Sequence, residues 1–254
     1  MATKQKFGVG VLIATARYDA QGNALSVPFN ARLGILQDVS TDFSFESKTL
    51  YGANQLPVDK GRGKAKLAFT AKTADINATA LAALHFGTTT SVGFKGPNLD
   101  VAGTIPAVST YTITAAPPSS GTFVADLGVR DTSGNTFTRV SSAPATGQYS
   151  VNETTGVYTF ASADASKAVL YSYEYSASTG GLIVPMTNQL MGYSPSFSVI
   201  LMNDSKGSKL VVKLNNCQSD KLSLPFKNED FVIADFGWEA LDDGTGTAGY
   251  WCQT

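Results

Sequence analysis

The chain has 254 residues, of which 43% are hydrophobic and only 15% charged, against a charged share of roughly 25% in an ordinary soluble domain. Its 19 Lys and Arg balance 20 Asp and Glu for a formal net charge of -1, so no broad positive field exists to hold nucleic acid or an anionic membrane by charge alone. Length sets a prior of one or two domains with a full core, and the two cysteines, Cys217 and Cys252, fit neither a disulfide framework nor a zinc spacing.

Residues 101–125 and 175–203 carry no charge, but Pro106, Pro117, Pro118, Pro185 and Pro195 interrupt them, which argues against a membrane-spanning helix. The apolar run after Lys4 and Lys6 is broken by Gly8 and Gly10 and followed by Arg17-Tyr18-Asp19, which argues against a secretory signal.

Along the chain the dominant period is two. Strand-like alternation begins at Asp42–Glu46 and is clearest over Lys64–Lys72, where Ala65, Leu67, Phe69 and Ala71 share one face and Lys64, Lys66, Thr70 and Lys72 the other. Asp75 to Gly87 departs from this rule. It is alanine-rich, with Ile76, Ala80, Ala83 and Leu84 at helical spacing, and predicts one helix over about 75–86, capped by Asp75 and closed by Gly87. Further strands are predicted over 110–114, 156–161, 169–175, 196–199, 209–214 and 229–239, with turns at 133–135, 152–156 and 204–207. Between 103 and 179 the composition shifts to Ser, Thr, Tyr and Val, which reads as an inserted β meander; residues 1–102 and 180–254 then form a core built from both ends. The predicted fold class is mainly β, a sandwich or barrel with one helix.

Catalytic chemistry is poorly supported. His85 is the only histidine, and a residue in the last turn of a helix is most simply a tolerated partner of the helix dipole. There is no HExxH, GxSxG or GxxxxGK[ST], and Asp242-Asp243-Gly244 is not followed by carboxylates at calcium-loop spacing. The sequence predicts no enzyme, no catalytic residue, no cofactor and no metal. One charge constellation stands out: if Asp59–Lys66 is extended, Lys60, Arg62, Lys64 and Lys66 form one basic stripe backed by Gly61, Gly63 and Ala65. Such a stripe serves as a guard on an exposed edge strand, as an electrostatic seam to an acidic patch on a neighbouring subunit, or, third, as a weak nucleic-acid contact.

The run Tyr51-Gly-Ala-Asn-Gln-Leu-Pro-Val-Asp-Lys-Gly-Arg-Gly-Lys-Ala-Lys66, followed by the helix ending Ala-Leu-His-Phe-Gly87, resembles the tail tube proteins of tailed bacteriophages. Asp126-Leu-Gly-Val129, Thr138-Arg-Val140, Gly147-Gln-Tyr-Ser-Val151 and Gly156-Val-Tyr-Thr-Phe160 are similar to the β-rich middle segment of such proteins, and Asn228-Glu-Asp-Phe231 to their closing strand. The resemblance runs from about Phe43 to Asp243 and rests on structural motifs. It implies a β-sandwich or barrel subunit assembled into rings, usually of six, that stack into a tube around a DNA channel. Implied partners are further copies of the chain, other tail proteins (tape measure, terminator, baseplate or tip), and double-stranded DNA passing through the lumen without sequence-specific binding. The implied location is the virion, after synthesis in the host cytoplasm.

In such an assembly the 48–64 loop is expected to make the ring-to-ring contact, with Tyr51, Asn54, Gln55, Lys60, Arg62, Lys64 and Lys66 as contact residues, and 103–179 is expected on the outer face. Head-to-tail interfaces close rings and extend stacks, and pairing between subunits removes exposed strand edges. The rival class is a secreted or cell-surface β-sandwich that binds carbohydrate or protein, for which Tyr149, Tyr158, Tyr171, Tyr173 and Tyr175 would serve. Such a module should stay monomeric, whereas a tube subunit should polymerise.

Overall fold

Alternating apolar and polar residues need a sheet with one dry face, and most of this chain supplies them. In the computed structural model, which describes residues 6–254, the strands are β1 (Val11–Tyr18), β2 (Ala24–Leu33), β3 (Leu36–Tyr51) and β4 (Pro57–Thr73), followed by the short helix α1 (Ala78–Leu81). There follow β5 (Ser91–Thr104), β6 (Thr112–Thr114), β7 (Thr122–Asp131), β8 (Thr138–Arg139), β9 (Gln148–Asn152), β10 (Val157–Phe160) and β11 (Ala168–Ile183). The chain ends with β12 (Ser196–Ser205), β13 (Ser208–Ser223), β14 (Ala234–Ala240) and β15 (Gly249–Gln253). The fold is mainly β with one helix, as the sequence predicts.

Two compact units divide these elements, one made of residues up to Thr90 with Val184–Thr254, the other of Ser91–Ile183. The first is an eight-stranded sheet in the order β2-β1-β12-β13-β14-β4-β3, with β15 also pairing β13. Among the described residues its end strands β2 and β3 pair on one side only, so the sheet is open and no barrel closes. One face is dry. Leu12, Ala14, Phe69, Ala71, Phe197, Leu214, Phe236 and Trp238 are buried there under Ala80 and Leu84 of the helical segment.

The helix is shorter than predicted. Asn77, not Asp75, caps it, its side chain accepting from the Thr79 and Ala80 amides at 3.0 and 3.1 Å. A π-helical turn, Ala82–Phe86, then leads to Gly87, whose φ of 61° closes the helix in the left-handed conformation. Asp75 lies outside the helix, its amide bonded to the Thr73 hydroxyl at 3.2 Å. The predicted strand over 229–239 also shortens to Ala234–Ala240. Asn228 and Glu229 sit in a turn, and the Asp230 carboxylate accepts from the Phe231 amide rather than leaving that amide to a ladder.

The second unit is a small sandwich. A four-stranded sheet, β6-β10-β9-β8, and a three-stranded sheet, β5-β11-β7, share a core of Tyr149, Tyr158, Phe160, Val169, Tyr171, Tyr173, Val129 and Ile105. All its ladders are antiparallel except the short parallel β8–β9 pair. Its limits differ from the compositional ones at 103 and 179. Ser91 pairs with Ile183 and Val92 with Leu182, so the strands that begin and end the unit belong to it although their composition does not mark them.

Candidate functional site: the long hairpin

Strands β3 and β4 pair continuously from Leu36 opposite Thr73 to Tyr51 opposite Pro57. Only the base of this hairpin lies inside the sheet, since β14 pairs with β4 no further out than Ala68. Beyond it, among the described residues, the two strands pair only with each other, and residues 43–66 are exposed. A two-stranded ribbon with no third strand is marginal in water, yet this one carries Phe45, Leu50, Tyr51, Leu56 and Val58 at 50%, 63%, 62%, 79% and 71% exposure.

The seven residues picked out by the sequence all lie on this arm, but not as a loop over 48–64. Strand pairing runs through that stretch, and the turn is confined to 52–56, where Asn54 and Gln55 sit; Tyr51 ends β3, and Lys60, Arg62, Lys64 and Lys66 are in β4. Gly61 and Gly63 suggest a loop by local preference, but the ladder to Lys48 and Ser47 is a non-local tie that holds them extended.

Nor do the four cations form one stripe. Phe45 pairs with Ala65 but Ser47 pairs with Arg62, leaving Glu46 opposite both Gly63 and Lys64. That β-bulge inserts one residue into β4, and a one-residue slip moves every side chain beyond it to the opposite face. Lys64 and Lys66 stay on the polar face, where Lys66 meets Glu239 at 3.6 Å. Lys60 and Arg62 turn to the face that continues from the dry side of the sheet, and the Arg62 guanidinium lies 4.8 Å from the centre of the Phe45 ring. That face is aromatic from inside to outside: Phe236 and Trp238 are 5.5 Å apart, Trp238 and Phe69 5.9 Å, Phe69 and Phe43 5.8 Å, and Phe45 lies beyond. Sequence reading missed Phe43, Phe45, Leu50, Leu56 and Val58 because alternation marks a half-buried strand without saying whether its apolar face has anything to pack on.

His85 shares a 2.5 Å hydrogen bond with the Ser219 hydroxyl, which also reaches the Gly237 carbonyl at 3.3 Å, and its ring packs edge-on against Phe86 and Phe236. Burial holds its pKa below the usual 6.5, against an opposing pull from Asp220. A base whose folded pKa is lowered contributes stability that is present above the unfolded value and lost as pH falls through the folded one. The denaturation midpoint is therefore expected to fall between pH 7 and pH 5, by less in His85→Gln; guanidinium titrations at the two pH values check this.

Asp242 and Asp243 line a polar cleft of about 440 Å³ with Arg17, Ser196 and Lys213. Both carboxylates are spent on their own turn, accepting from the Gly244 and Thr245 amides at 3.0 and 2.9 Å. Cys217 is buried, which pushes its thiol up to about 12, while Cys252 is exposed; both are free. Tyr149, Tyr158, Tyr171 and Tyr173, considered above as a binding platform, are inside the core of the second unit.

No family model matches this chain, and no curated protein matches it either.

Proposed function

We propose that this chain is the structural subunit of a phage-type tail tube, and that copies of it assemble through the β3–β4 arm into rings that stack around a DNA channel. The observation that carries this reading is the arm itself: a ribbon reaching out of an open sheet with apolar side chains exposed along it. Taking Leu50, Leu56 and Val58 out of water would contribute about 1.5–3 kcal/mol for each side chain, and a partner sheet would satisfy the unpaired edges of β2 and β3. On this reading Tyr51, Asn54, Gln55, Lys60 and Arg62 contact the neighbouring ring, with Arg62 held against Phe45 as a preset cationic contact. The rings are six-membered, and the unit Ser91–Ile183 lies on the outside of the tube.

Negative-stain electron microscopy and sedimentation of the purified protein test it. Hollow rods or stacked annuli are expected, and the Leu50→Asp/Val58→Asp variant should remain folded by circular dichroism but monomeric. A wild-type protein that stays a single globule at every concentration, or a variant that assembles normally, overturns the proposal.

A further inference from the structure

On the polar face of the eight-stranded sheet, charge is sorted by strand. From the registers, β3 presents Asp38, Ser40, Asp42 and Ser44 in turn, and β4 presents Lys72, Thr70, Ala68 and Lys66 opposite them, with Lys64 beyond at the bulge facing Glu46. Next to β4, β14 presents Asp235 and Glu239 around Gly237, and β13 contributes Lys221 together with Asp220, whose carboxylate lies over Gly237. Across β3, β4 and β14 the sign runs minus, plus, minus. Three lysines are paired across strands: Lys221 with Asp235 at 2.5 Å, Lys66 with Glu239 at 3.6 Å, Lys72 with Asp38 at 3.5 Å. Between them the Ser40 and Thr70 hydroxyls are bonded at 2.7 Å.

Exposed pairs of this kind contribute only about 0.2–1 kcal/mol each, so stability gives a thin account of the arrangement. Its larger effect is on the field. Lysines repeating along one extended strand, with small side chains between them, make a groove that would hold a phosphate backbone by counterion release. A carboxylate row on each side cancels that field within a Debye length of about 8–10 Å.

We propose that this face is a charge-masked wall for a polyanion: β3 and β14 neutralise the β4 lysines so that double-stranded DNA passes along the sheet without being held. The proposal rests on the tube reading above for the presence of DNA. The masking itself is read on unassembled protein, so the two fail separately.

The probe is a short fluorescein-labelled DNA duplex titrated with the purified full-length chain at about 50 mM salt, where phosphate contacts are strong. Wild-type protein is expected to leave its anisotropy unchanged. Asp38→Asn/Asp42→Asn/Glu239→Gln, which strips the carboxylates flanking β4, should bind the duplex at least about ten-fold more tightly, with affinity falling steeply as salt rises. Adding Lys66→Gln and Lys72→Gln to that variant should abolish the gain, which locates it on this face. A control with the same change in net charge elsewhere, Glu174→Gln/Glu229→Gln/Asp230→Asn, should not bind. If the stripped variant does not fold, Glu239→Gln alone is used and should show a smaller gain of the same kind. Duplex binding by the wild type, or a stripped variant no better than the control, overturns the proposal.

Discussion

Trp238→Ala is expected to cost the eight-stranded unit about 3–5 kcal/mol, a large part of the ~5–15 kcal/mol that holds a typical domain folded. The indole is fully buried and is the hub of the dry face, stacked on Phe69 at 5.9 Å and tilted against Phe236 at 5.5 Å, which in turn meets Phe197 at 6.2 Å. Deleting it removes contacts on β4 and β14 at once, and the cavity left lies between strands whose ladder limits collapse. Trp238→Phe keeps an aromatic ring in the stack and deletes an indole N–H that has no acceptor among the described residues, so it should cost under about 1.5 kcal/mol. Guanidinium unfolding followed by circular dichroism gives both numbers. An alanine variant within about 1 kcal/mol of wild type would show that the aromatic column is not the core of this unit.

That column was legible in outline. Ala65, Leu67, Phe69 and Ala71 alternate so strictly that the strand and its dry face follow from the sequence, and Phe69 and Ala71 are buried. Gly87 was legible as a helix end for a similar local reason. What composition could not show is set by partners distant in sequence. The bulge opposite Glu46 turns Arg62 and Lys60 away from Lys64 and Lys66, and it depends on which residue of β3 faces which residue of β4. The same holds for the hairpin taken as a loop: Gly61 and Gly63 are poor strand formers by themselves, and only a neighbouring strand keeps them extended. Asn77 and Asp75 are both good caps by residue type, so local preference does not choose between them, and in the structure the Asn77 side chain makes the cap. Composition marks 103–179, whereas the compact unit spans Ser91–Ile183, because the strands that tie it off, β5 and β11, continue the composition of their flanks.

In the unit Ser91–Ile183 the largest loss is expected at Asp126. Its side chain is 3% exposed and accepts from the Tyr149 hydroxyl at 2.6 Å, the Tyr158 hydroxyl at 3.0 Å and the Gly128 amide at 3.0 Å. Arg139 stands 3.7 Å away and is shared with Glu153. One carboxylate on β7 thus joins β9 and β10 of the other sheet across the sandwich. Asp126→Ala would leave the Tyr149 phenol in the core without its acceptor and the Tyr158 phenol with only the Ser172 carbonyl at 3.4 Å, and would remove one side of an ion pair, at a cost of about 3–5 kcal/mol. Asp126→Asn retains one acceptor oxygen and should cost about half as much. Loss of amide protection in β7, β9 and β10 by hydrogen exchange locates the effect, and protection unchanged in Asp126→Ala would remove the network from the account of the fold. The same network sets an alkaline limit. Burial, then the Asp126 charge and hydrogen bond, push both phenols well above their ordinary value of 10. An acid with a raised folded pKa contributes stability that is present below the unfolded value and lost as pH rises through the folded one. Stability should therefore fall above pH ~10, and tyrosinate absorbance should rise in step with unfolding. Tyr149→Phe/Tyr158→Phe, with nothing left to ionise at these positions, should flatten that limb of the pH profile at the expense of a less stable plateau near neutrality.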